Sequence, residues 1–106
     1  MTRESRKAQR FAVQLPCQFW SYATKSNGTV LNLSAQGCAM TAEQPPSVLT
    51  YVSLDIDLLN GEGPANIELA GVRWVSEHRC GLEFIRVRPD ILMRLRAFAL
   101  LLQQTS

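Results

Sequence analysis

Val52-Ser53-Leu54-Asp55-Ile56-Asp57-Leu58 alternates apolar and polar residues without a break. Successive side chains of an extended strand point to opposite faces, so this stretch has one dry face and one wet face. Asn60-Gly61-Glu62-Gly63-Pro64 follows, and its glycines and proline require a turn. The same grammar extends toward the N-terminus. Phe11, Val13 and Leu15 alternate with Ala12 and Gln14. Pro16 implies a bulge or an edge, because it cannot donate to a ladder. Phe19, Trp20 and Tyr22 continue the strand, and Thr24-Lys25-Ser26-Asn27-Gly28 reads as a hairpin turn on its Asn-Gly pair. Thr29 to Leu33 is a second strand, Ser34 to Gly37 a tight turn or bulge, and Cys38 to Thr41 a further extended segment. Pro45-Pro46 requires a loop.

Toward the C-terminus, Ile67 and Leu69 share one parity while Val72 and Trp74 share the other, which predicts a bulge near Ala70-Gly71. On simple alternation Arg73 faces away from Trp74. Ser76 to Arg79 turns the chain, and Cys80, Leu82 and Phe84 form one face of a last strand. Pro89-Asp90 then opens a helix, with Asp90 favourably placed in its first turn. Ile91, Leu95, Phe98 and Leu102 recur at helical spacing, and Arg94 and Arg96 fall off that stripe. The stripe reads as packing against the strands, with self-association as the second reading, because Leu100, Leu101 and Leu102 widen the apolar face. About six short strands with Gly, Pro and Asn turns describe a small barrel or sandwich capped by one helix.

The 106 residues suit a single domain with one core, and 46% hydrophobic against 19% charged residues is ordinary for a globular chain. A net charge of +2 is too small to argue for bulk nucleic-acid binding. The charge is localised: Arg3, Arg6, Lys7 and Arg10 face only Glu4 within the first ten residues, which makes residues 1–10 a basic arm. Cys17, Cys38 and Cys80 form no CxxC pair and sit among apolar neighbours, so they read as reduced core residues of a cytoplasmic protein. The first residues lack the apolar run of a signal peptide, and Ala97 to Leu102 falls far short of the ~20 residues that span a bilayer.

Two further stretches carry chemistry. Arg6-Lys7-Ala8-Gln9-Arg10 sets two guanidiniums four residues apart, and Asn32-Leu33-Ser34-Ala35-Gln36-Gly37 offers a carboxamide, a hydroxyl and a glycine in one turn. Guanidinium forks bind phosphate oxygens and the O6/N7 edge of guanine, and they stack on flat rings. Asn and Ser supply donors and acceptors, and glycine admits a ligand close to the backbone. The order RxxxR followed by (D/N)xSxxG resembles the PilZ domain, known as a receptor for the bacterial second messenger cyclic di-GMP. The similarity extends to Gly71-Val72-Arg73-Trp74-Val75 and Gly81-Leu82-Glu83-Phe84.

The resemblance implies a mostly β fold: a six-stranded antiparallel barrel over residues 11–88, an N-terminal arm over 1–10 and a C-terminal helix over 89–103. It implies that Arg6 and Arg10 clamp the phosphates and a guanine face of cyclic di-GMP, that Asn32 and Ser34 bond its edges, and that Gly37 keeps the turn open. Lys7, Arg73 and Trp74 are further candidate contacts. For Trp74 a place in the core or at the barrel end is an equal reading. Ser5 stands where the family often has a second arginine, a position that influences whether one ligand or an intercalated pair is bound. The implied role is non-catalytic: ligand orders the arm, and the altered surface is read by an unidentified protein effector in motility, exopolysaccharide or biofilm control. A ligand-independent adaptor on the same fold is the alternative, and a single-stranded nucleic-acid binder stacking on Trp20, Tyr22 and Trp74 is a distant third. Neither DNA nor RNA is expected as a partner, and the chain is expected to be a monomer or weak homodimer. No nucleophile with a visible base and no glycine-rich phosphate loop indicates an enzyme. Asp55 and Asp57 read as the wet face of a strand, and His78 as a turn residue that forms no metal set with the scattered cysteines.

Overall fold

Alternating faces give each strand one apolar side, and a small set of such strands buries all those sides at once by closing on itself. The protein does this. In a computed structural model describing residues 9–105, the elements are β1 (Phe11–Ser21), β2 (Thr24–Leu33), β3 (Gly37–Thr41), β4 (Tyr51–Ile56), β5 (Ala65–Ser76), β6 (Arg79–Arg86) and α1 (Pro89–Thr105). The strands form a closed antiparallel barrel in the order β1-β2-β3-β6-β5-β4. Closure leaves no open sheet edge among the described strands for another chain to pair with. Phe19, Val30, Met40, Leu54, Ile56, Ile67 and Leu82 fill the interior. Ile91 and Leu95 of α1 are buried against them, and Phe98 packs alongside. Each such aliphatic side chain contributes about 1.5–3 kcal/mol by leaving water.

α1 begins where Pro89 fits a first turn, and the Arg88 guanidinium forks onto the Asp90 carboxylate at 3.2 and 2.8 Å. That contact holds the Asp90 carboxyl below its usual range. Arg94 fastens the helix to the β4–β5 loop by donating to the Gly63 carbonyl at 2.6 Å and the Pro64 carbonyl at 3.3 Å, with Glu62 at 3.4 Å.

The first hairpin turns elsewhere than its Asn-Gly pair predicts. The turn is Tyr22-Ala23, with Tyr22 left-handed at φ 58°. Asn27 and Gly28 lie within β2, opposite Gln18 and Cys17. The cause is tertiary. Cys17 to Trp20 must also pair with Ser53 to Ile56 of β4, which carries β1 onward to Ser21. On β1 the irregularity falls between Ala12 and Leu15, just ahead of Pro16. The β5–β6 register shifts at Leu69/Ala70, close to the predicted bulge, and again between Val72 and Trp74.

Cys17, Cys38 and Cys80 are free thiols in the core. Cys17 Sγ lies 3.8 Å from Met40 Sδ. Burial pushes the Cys17 thiol up to about 12 and the Cys80 thiol to about 11, and raises Cys38 as well. These thiols stay protonated at neutral pH and serve as packing.

Candidate functional site

β2 carries one inserted residue, Leu31: Val30 faces Met40, and Asn32 faces Ala39. A bulge reverses the faces beyond it. Val30 is fully buried, and Asn32, which strict alternation would also send inward, comes to the outer surface half-buried. Its Oδ1 accepts the Ala39 backbone N–H at 3.0 Å and Arg10 Nη1 at 3.3 Å. One oxygen thus satisfies the sheet and holds the end of the arm.

The turn after Asn32 is built by Ser34, which is 2% exposed. Its Oγ accepts the N–H groups of Gln36 (3.0 Å) and Gly37 (3.2 Å), while its own N–H donates to the Gly37 carbonyl at 2.9 Å. A side chain doing this work fixes a turn that backbone pairing alone would leave open. Gly37 is needed for space. A Cβ there would stand 2.5 Å from the Leu82 carbonyl oxygen and 3.0 Å from Arg10 Nη2. The guanidinium of Arg10 therefore lies against bare backbone.

A second insertion completes the surface. Val72 pairs with Leu82 and Trp74 with Gly81, so Arg73 is the extra residue of β5. Trp74, of like parity to the buried Val72, is thereby turned outward and is 42% exposed. Its indole lies across Gly81, where any Cβ would run into the ring nitrogen. Asn32, Ala39, Gly81 and Trp74 stand side by side on β2, β3, β6 and β5. Two small residues separate an amide from an indole, over three inter-strand spacings of about 4.8 Å each. Gly37, Glu83 and Gly71 form the next outward row. The result is a shallow shelf with a flat floor, an indole at one end and a guanidinium at the other.

Arg73 does not face away from Trp74. The insertion leaves both outside, and Arg73 Nε is engaged with Glu83 Oε1 at 2.6 Å. An anion reaching Arg73 competes with that carboxylate. Arg6 and Lys7 lie outside the described residues. Asp55 and Asp57 have local duties: Asp55 Oδ1 accepts from Asn66 Nδ2 at 2.7 Å and Asp57 Oδ1 from the Leu59 N–H at 2.8 Å. They line a hollow of about 680 Å³ with Pro16, Gln18, Asn27 and Pro64, and among the described residues no Lys or Arg contributes to it. Acidic and distant from the shelf, it suits no anion. Sequence reading missed Ala39 and Gly81. Their only signal is small size, which gains meaning once the register sets them between Asn32 and Trp74.

The family model of the PilZ domain matches residues 4–101. The chain belongs to the PilZ domain family. Solved PilZ structures have the same fold. The PilZ domain of YcgR from Escherichia coli, determined with c-di-GMP, superposes with a TM-score of 0.79 at 14% identity, covering 96% of this chain and 94% of that one. The Bacillus subtilis inhibitor of motility, MotI/DgrA, superposes at 0.83 with 21% identity over 98% of this chain and 54% of that chain. The present chain therefore spans about half the length of the Bacillus protein. The PilZ domain of CeSA from a cellulose-synthesizing bacterium gives 0.67 at 17% identity, covering 92% and 97% of the two chains. No curated protein matches the chain by sequence. PilZ domains are in general receptor domains without catalysis, and no helix among the described residues of this one is long and apolar enough to cross a membrane.

Proposed function

We propose that this PilZ domain is a non-catalytic receptor for cyclic di-GMP. One observation carries the reading: Arg10 and the Asn32–Gly37 turn, separate in sequence, meet through the bond from Arg10 Nη1 to Asn32 Oδ1 and through the space left at Gly37. Guanidinium, carboxamide and bare backbone then face one shelf. In this reading Arg6 and Arg10 grip the phosphates and a guanine face, and Asn32 and the Ser34 turn fix base or ribose edges. Trp74 offers a stacking surface, and Lys7 adds charge. Arg73 contributes only by leaving Glu83. Ordering the arm costs about 1–2 kcal/mol per backbone residue, which charge-assisted hydrogen bonds offset. The bound form then presents a new surface to a protein effector in motility, exopolysaccharide or biofilm control.

A second reading, an adaptor that works without ligand, is favoured by the solvent-facing side of α1. Met93 and Leu100, two turns apart, and Leu101 beside Leu100 are exposed there. Titration calorimetry with cyclic di-GMP separates the two. Low-micromolar binding that is lost in Arg6→Ala and Arg10→Ala proteins supports the receptor and gives the stoichiometry left open by Ser5. A folded protein that takes up no cyclic di-GMP at high concentration overturns the receptor in favour of the adaptor.

A further inference from the structure

Beside the Asn32–Gly37 turn the arm and the helix enclose a second, smaller space. A groove of about 220 Å³ runs between Gln9 and Phe11 at the start of β1, Ala35 of the turn, and Arg96, Ala99 and Leu100 of α1. Phe11, Ala35, Ala99 and Leu100 are its apolar lining, and Gln9, Arg96 and Gln103 its polar lining. Among the described residues, Arg96 is the one cation lining it.

Three neighbouring arginines are engaged: Arg88 with Asp90, Arg94 with Glu62 and two loop carbonyls, and Arg73 on the shelf with Glu83. Arg96 has no carboxylate partner among the described residues and is exposed. It therefore stands, uncompensated, on the side of the helix nearest the site. The residues that bracket it, Gln9 and Ala35, are chain neighbours of Arg10 and Ser34. Like charges repel, and an anion held between two guanidiniums removes that repulsion.

We propose that Arg96 is a further phosphate-binding residue of the site, reaching from α1 to the ligand that Arg10 and the Asn32–Gly37 turn hold. The proposal rests on the receptor reading and deepens it. The groove that Arg96 lines starts at Gln9 and Ala35, one residue from Arg10 and from Ser34, and from that side α1 would approach a phosphodiester held by Arg10. Engagement ties the second half of α1, including the exposed Leu100 and Leu101, to occupancy of the site. The helix is then the element through which binding is reported. This contact lies outside both RxxxR and (D/N)xSxxG, because it depends on where the helix crosses the barrel.

The test compares Arg96→Glu and Arg96→Lys proteins with wild type by calorimetry with cyclic di-GMP at low and high salt. Lys25→Glu, the same charge change at the far end of β2, is the control, and Arg10→Ala is the reference for loss of the site. Amide hydrogen exchange of residues 93–103 is followed with and without ligand. Expected results are affinity weakened about 10–100-fold by Arg96→Glu, the loss typical of a charged hydrogen bond, with less loss for Arg96→Lys. The salt dependence should flatten in Arg96→Glu, and ligand-induced protection of the helix should disappear there but not in Lys25→Glu. If Arg96→Glu binds like Lys25→Glu and the helix gains no protection in wild type, while Arg10→Ala abolishes binding, the role of Arg96 is overturned and the receptor stands. If wild type itself does not bind, the receptor reading falls and Arg96 with it.

Discussion

Along β4, Val52, Leu54 and Ile56 face the core and Ser53 and Asp55 face outward, with no residue inserted into the strand. Across β2 and β5, Leu31 and Arg73 are inserted, and the faces exchange. Both regions belong to one barrel and share one core. The difference is that the regular strand spends every inward position on packing, whereas the bulged strands release Asn32 and Trp74 from positions that alternation would bury. The bulges build the shelf, and the regular strand supports it.

This contrast can be attacked from both sides. The largest effect is expected in the regular strand. Leu54→Ala opens a cavity behind a fully buried residue and should lower unfolding stability by about 2–5 kcal/mol. Urea denaturation reads that loss, and the folded fraction should bind cyclic di-GMP with unchanged affinity; a parallel loss of affinity would show that the two regions are not separable. Arg10→Ala should do the reverse. It removes a group that donates to Asn32, and calorimetry should report at least about a hundredfold weaker binding, corresponding to loss of charged hydrogen bonds, with little change in the urea midpoint. Ser34→Ala falls between them. It removes the acceptor of the Gln36 N–H and of the buried Gly37 N–H and should cost about 1–3 kcal/mol of stability, together with affinity, because the turn is part of the shelf. Trp74→Ala should be mildest. The indole is partly exposed and fills no core space, so the midpoint should hold while binding weakens severalfold, as expected for one lost stacking contact of ~1 kcal/mol.

The same contrast explains what could be read in the sequence. Val52 to Leu58 declares a strand without help, and Ile91, Leu95 and Phe98 declare the helix that closes the barrel, because both patterns match their structural periods. The parity change between Leu69 and Val72 correctly signals an irregularity. Asn32 and Trp74 are harder. Alternation counted from Val30 or Val72 places each inside, and nothing local in Leu31 or Arg73 marks the inserted residue. The insertions are set by register against β3 and β6. The Asn27-Gly28 pair errs in the opposite way: a strong local turn signal gives way to the pairing of β1 with β4. The meeting of Arg10 with Asn32 was legible only through family resemblance. Arg96 was visible as a residue off the apolar stripe, but its nearness to Ala35 follows from the path of the helix.

The indole of Trp74 resting on Gly81 has an optical consequence. A half-exposed tryptophan emits at wavelengths sensitive to whatever next covers it, and a purine stacked on its free face withdraws excited-state energy. Its counterpart Trp20 sits on β1, facing Lys25 and Ser53 on its neighbours. With Trp20→Phe as background, the remaining chromophore becomes a gauge fixed at one end of the shelf, so the molecule carries its own label for occupancy.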